Sequence, residues 1–127
     1  MGRPAAKELT ERELEVMHVF WKLGTATAAE VRDELSRSGV DRAYTTIATL
    51  VRILADKKFV TQTNGERPFR YRPARSYEDV SRSILRDIVE QVFRGSREQL
   101  LIRLVEQKAL TPEERALLED TLQEEES

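Results

Sequence analysis

Few side chains in this sequence are typed and spaced for bond-making chemistry. The 127 residues hold one histidine, His18, and no cysteine. The lack of thiols removes cysteine nucleophiles, thiolate metal sites and disulfides, and fits a reducing compartment. His18 lies between Met17 and Val19 inside a helical pattern, which leaves a serine triad unsupported and reads as a surface or packed residue. Glu13, Glu15 and Glu30 read as helix caps or solvated faces rather than as a catalytic carboxylate pair, and no phosphate-cradling glycine pattern is present. The expectation is a protein that is not an enzyme and uses no metal or cofactor. What the sequence does hold is a concentration of cations. Residues 1–75 carry 14 basic and 10 acidic side chains, whereas residues 76–127 carry 7 and 13. Within the first part, residues 40–75 carry 8 basic against 3 acidic, although the whole chain has a formal charge of −2. Positive charge is gathered where a polyanion could meet it, and the acidic part would avoid that polyanion.

The elements that must position these cations are well marked. Thr10 with Glu13 and Thr27 with Glu30 have the spacing of capping boxes, in which side chain and backbone satisfy each other reciprocally. The first opens a helix over about 11–23, with Leu14, Met17 and Trp21 at helical spacing and Gly24 as its stop. The second opens a shorter helix ending near Arg37, closed by Ser38-Gly39. Asp41 is the expected N-cap of a third helix whose Ile47, Leu50, Val51 and Leu54 face inward. The opposite face then holds Thr45, Thr49, Arg52 and Asp56, flanked by Arg42, Thr46 and Ala48. The period next changes from 3.6 to 2: Phe59 to Thr63 lead into Asn64-Gly65, and Phe69 to Arg72 lead out, which predicts a β-hairpin. Asn-Gly favours positive φ at the turn, although Glu66, Arg67 and Pro68 lengthen the loop. Phe69 and Tyr71 fall on one face of the hairpin, Arg70 and Arg72 on the other.

Three helices and a hairpin in this order describe a winged helix-turn-helix, followed by a three-helix lobe; the fold class is mostly α with a small β-hairpin wing. In such a fold the third helix enters the major groove of duplex DNA and the wing reaches the flanking backbone. Thr45, Thr46, Thr49 and Arg52 would then face base edges or nearby phosphates, and Arg67, Arg70 and Arg72 would contact phosphate, with Arg42 at the entry to the helix. The competing reading is a winged helix whose third helix and wing bind an acidic protein without reading sequence. Sequence-dependent binding of DNA separates the two.

From Ser76 onward the pattern is helical again. Val80, Ile84, Ile88 and Val92 make one stripe, Ser96 with Gln99 opens a helix carrying Leu100, Leu101 and Leu104, and Thr111-Pro112-Glu113-Glu114 opens a last one with Leu117, Leu118 and Leu122. Three amphipathic helices in about 50 residues make a thin core, which implies a partner. The simplest is a second copy: the expectation is a DNA-binding domain over 1–75 and a dimerisation domain over 76–127, matching a two-fold operator. The alternative is that these helices fold back on the winged helix of the same chain. No spanning stretch or apolar leader is present, and Ala6 stands where an acylation motif wants Ser or Thr, so the expected location is the cytoplasm.

Glu15-Val16-Met17 with Phe20-Trp21, then Thr27-Ala28-Ala29-Glu30-Val31, Ala43-Tyr44-Thr45-Thr46-Ile47-Ala48-Thr49-Leu50, and Phe69-Arg70-Tyr71-Arg72-Pro73, together resemble the penicillinase repressor (BlaI/MecI/CopY) family of winged-helix transcriptional regulators. The resemblance covers nearly the whole chain, including Phe93-Arg94-Gly95-Ser96. It implies a homodimeric repressor of a β-lactam-response or other stress operon, with a membrane sensor or protease upstream. It also implies a cleavable bond near Arg103-Leu104, where this sequence lacks the Asn-Phe pair associated with that cut. The C-terminal cysteine motifs of copper-responsive relatives are missing. Lys58 stands where the resemblance implies a glycine after the recognition helix.

Overall fold

The computed structural model describes residues 9–107 and 111–126. In chain order they form α1 (Glu11–Leu23), β1 (Ala26–Thr27), α2 (Ala28–Arg37), α3 (Tyr44–Asp56), β2 (Val60–Gln62), β3 (Arg70–Pro73), α4 (Tyr77–Gln91), α5 (Arg97–Glu106) and α6 (Pro112–Glu126). The chain divides into two units, one ending at Ile84 and the other beginning at Leu85, so the division falls inside α4. Among the described residues no helix is long and apolar enough to cross a membrane. The side chain of Leu122 and the N-terminal residues read for an acylation motif lie outside the described residues.

Both expected capping boxes form. The Thr10 hydroxyl accepts from the Glu13 N–H at 3.1 Å while Glu13 Oε1 accepts from the Thr10 N–H at 3.0 Å. Thr27 and Glu30 do the same at 3.1 and 2.9 Å. Glu13 does a second job: buried on α1, it accepts from Lys57 Nζ at 2.9 Å and so ties the end of α3 to the start of α1. A buried carboxylate left unpaired would be costly, and here two donors meet it.

In the first unit α1, α2 and α3 pack around Val16, Met17, Phe20, Val31, Ile47, Val51 and Leu54, with Phe59 and Val60 entering from the start of the hairpin. Trp21 Nε1 donates to the Arg75 carbonyl at 2.9 Å, and its ring meets the rings of His18 and Tyr77 edge-on at 5.3 Å each. His18 is thereby an exposed ring packed against aromatics. Val80 is only 1% exposed and closes this same core, with Ile84 packed beside it. This corrects the reading of Val80 as a dimer contact, because its side chain is already committed within its own unit.

The sheet has three strands, not two. β1 pairs antiparallel with β3 through Ala26↔Tyr71 and Thr27↔Arg70, and β2 pairs with the other edge of β3 through Thr61↔Arg72 and its neighbours. The hairpin turn also differs from expectation: neither Asn64 nor Gly65 has positive φ. The Asn64 side chain builds the loop instead. Its Oδ1 accepts from the Arg70 N–H at 2.8 Å, and its Nδ2 donates to the Glu66 and Pro68 carbonyls at 3.0 and 3.2 Å.

Asp41 is not the N-cap of α3. That position belongs to Ala43, whose backbone is extended and whose side chain makes no cap bond. Asp41 instead accepts from the Ser36 hydroxyl at 3.2 Å, and the turn between α2 and α3 is longer by that margin. At the other end of α3 the chain leaves through Lys58, at φ 69°. Its N–H reaches the Ala55 carbonyl at 3.0 Å and that of Phe59 reaches Leu54 at 2.9 Å, which satisfies the last carbonyls of the helix. A lysine in this conformation costs about 1 kcal/mol relative to glycine. Lys58→Gly is therefore expected to raise the unfolding free energy by up to about 1 kcal/mol in urea denaturation; an unchanged or lower midpoint would count against this cap.

The second unit is built on similar local rules. Arg94 and Gly95 take positive φ after α4, and Ser96 caps α5 by accepting from the Gln99 N–H at 3.1 Å. Thr111 and Glu114 satisfy each other's backbone N–H at 3.0 and 2.9 Å, with Pro112 in the first helical position of α6. Apolar side chains remain in solvent here: Leu85, Ile88, Val92, Ile102, Val105 and Leu117 are all 38% exposed or more.

Candidate nucleic-acid interface

The site is assembled on α3, the start of α2 and the wing, all within the first unit. Ile47, Val51 and Leu54 anchor one side of α3 in the core, so the helical period turns Thr45, Thr49, Arg52 and Asp56 to solvent. Thr46 and Ala48 flank that face half-buried. Between it and the hairpin runs a cleft of about 650 Å³, lined by Ala28, Tyr44, Ala48, Arg52, Arg67, Phe69 and Tyr71 among others. Arg52 and Arg67 thus share one concave surface. The Arg67 guanidinium lies 4.9 Å over the Phe69 ring, a cation–π contact that holds it at the rim of the cleft.

The remaining predicted cations are placed differently. Strand alternation puts Arg70 and Arg72 on the face of β3 opposite Phe69 and Tyr71. Arg70 reaches across β1 to Glu30, with Nη1 on Oε1 and Nη2 on Oε2 at 3.3 Å each. Arg42 leaves the turn before α3 toward α1, where it meets the Glu15 carboxylate at 3.3 Å. Among the described residues Arg52, Arg67 and Arg72 form no ion pair, so two of the five predicted arginines are held by the protein's own carboxylates and three are not.

Two carboxyls nearby sit below their ordinary range. Glu34 is held down chiefly by the Lys22 ammonium, 2.5 Å away, with Arg37 adding to it. Glu30 is held down first by the Thr27 backbone N–H and then by Arg70, against partial desolvation. Both therefore stay charged at neutral pH. Among the described residues no cluster of three or more histidines and carboxylates is placed to hold a metal ion.

Tyr44 is the residue that sequence reasoning missed. It is the first residue of α3, 47% exposed, and lines the cleft. Its position four residues before Ala48 and eight before Arg52 places it on their face, and following the helical period backward past Thr45 finds it.

A third helix with an exposed polar face, a cationic wing beside it and a cleft between them define a winged helix-turn-helix protein of the DNA-binding transcriptional regulators. The chain belongs to the penicillinase repressor family, whose model matches residues 9–124. It is similar to the methicillin resistance regulatory protein MecI of Staphylococcus aureus strain N315, at 25% identity over 107 residues, covering 84% of this chain and 86% of that one. It is also similar to the transcriptional regulator BlaI of Mycobacterium tuberculosis strain H37Rv, at 32% identity over 100 residues, covering 77% of this chain and 72% of the other. Its function is that of a DNA-binding transcriptional repressor.

Proposed function

We propose that this repressor binds an inverted-repeat operator as a homodimer in the cytoplasm, without enzymatic activity, and controls a β-lactam-resistance or other stress operon under an upstream membrane sensor or protease. The observation that carries this reading is the division of labour between the units. The first presents Arg52 of α3 and Arg67 of the wing on one cleft, with the exposed Thr45 and Thr49 on the same helix. The second leaves Ile88, Val92 and Leu117 in solvent, as a surface that pairs with its copy would require. In this assignment Thr45, Thr46, Thr49 and Arg52 meet base edges, Arg42, Arg67, Arg70 and Arg72 meet phosphate, and the dimer is held by apolar side chains from Ile84 onward, including Leu100, Leu101, Leu104 and Leu118. The names of the relatives supply the resistance context.

The test is retention of genomic DNA fragments by the purified protein near physiological salt. A few enriched fragments sharing an inverted repeat are expected. Arg52→Ala should then lose about 1–3 kcal/mol of discrimination between that repeat and a scrambled duplex, because a lost base-edge pair costs that much. Arg67→Ala should weaken all duplexes alike. Equal retention of all fragments would overturn operator reading.

A further inference from the structure

We propose that Glu30 is a positioning residue for DNA binding: its carboxylate competes with DNA phosphate for the Arg70 guanidinium and so limits how much of the wing's positive charge is available. This rests on the reading of Arg70 as a phosphate contact. Three observations carry it beyond that reading.

The first is the quality of the pair. Both N···O distances are 3.3 Å, longer than a tight charge-assisted bond, and the two side chains are 44% and 47% exposed. A loose pair in water is exchangeable, unlike the buried Glu13 that binds Lys57 at 2.9 Å. The second is placement. The Thr27↔Arg70 register of β1 and β3 puts Arg70 beside the first turn of α2, where Glu30 is already fixed by its bond to the Thr27 N–H at 2.9 Å. The carboxylate is therefore preorganised by the capping box, and Arg70 is the partner free to leave. The third is the surroundings. Arg70 opens onto a hollow it shares with Glu30, Asp33, Glu34 and Arg37, and two of these carboxylates already have other cations, Lys22 and Arg37 on Glu34 and Arg32 on Asp33. Glu30 is thus the carboxylate of this hollow left to Arg70, and the competition with phosphate comes down to that one pair.

Glu30→Gln separates the two roles of the residue, because glutamine serves at this capping-box position and keeps an oxygen for the Thr27 N–H. Binding of the full chain to a mixed-sequence DNA duplex is measured by anisotropy over a range of KCl for wild type, Glu30→Gln, Arg70→Ala and the double variant. Glu30→Gln is expected to bind about two- to five-fold tighter than wild type, the range of a half-exposed ion pair. Arg70→Ala should bind more weakly and lower the salt slope by about 0.9, the value of one phosphate contact. The double variant should match Arg70→Ala, since the competitor matters only while Arg70 is present. The proposal is overturned if Arg70→Ala weakens binding but Glu30→Gln does not tighten it, or if the gain from Glu30→Gln persists without Arg70. An Arg70→Ala variant that binds like wild type overturns the phosphate assignment itself, and the competition with it.

Discussion

Replacing Ile88 and Val92 together by glutamate is expected to turn the proposed dimer into a monomer and to lower affinity for an inverted repeat by about 10²- to 10⁴-fold, the gain that tethering two binding units supplies. The two residues are 38% and 67% exposed, so the change leaves the core of their own chain intact while placing charge on the surface proposed to pair. A two-fold interface doubles the insult, since each new carboxylate is buried against apolar groups or meets its own copy. Sedimentation should show the mass fall from twice 14.7 kDa to the mass of one chain. Affinity for a single half-site should be nearly unchanged, because α3 and the wing belong to the other unit. A mass of two chains in the double variant would place the interface elsewhere, and a monomer with full operator affinity would remove the need for pairing.

Phe20→Ala should cost about 3–5 kcal/mol of stability in the first unit, as truncation of a buried phenylalanine leaves both lost burial and a cavity. Phe20 is wholly buried where α1 meets the rest of the core. A loss of that size is a large share of the roughly 5–15 kcal/mol that holds a domain folded. Urea denaturation measures it, with Leu23→Ala as the comparison: Leu23 lies on the same helix at 39% exposure and should cost far less. Similar losses at the two positions would show that α1 does not pack as described.

What the sequence made legible was local. Thr10 with Glu13 and Thr27 with Glu30 announce their helices because a capping box is complete within four residues, and both form. The period of Ile47, Val51 and Leu54 fixes which face of α3 is exposed, and with it Thr45, Thr49 and Arg52. Features that depend on partners far along the chain stayed hidden. β1 is two residues long, too short for any period to show, and its Thr27 is also the N-cap of α2. The Asn64-Gly65 pair speaks for a turn made by backbone conformation, whereas the Asn64 side chain builds it. Val80 continued a helical stripe toward Val92, and periodicity carries no information on which unit takes each member. The pairs of Arg42 with Glu15 and Arg70 with Glu30 span 27 and 40 residues, so only the assembled fold reveals which arginines are held.

The chain has a single tryptophan, and its indole is bonded to the Arg75 carbonyl between the rings of His18 and Tyr77. It joins α1 to the exit of the wing and the first turn of α4. Tryptophan emission of this protein, excited apart from its three tyrosines, is therefore a spectroscopic signal from one place, the seam that closes the first unit. Far-ultraviolet dichroism, by contrast, sums every helix, including α5 and α6, which contain no tryptophan. One optical signal thus belongs to the first unit alone and the other to both units, so melting followed by both will separate the two units wherever their stabilities differ.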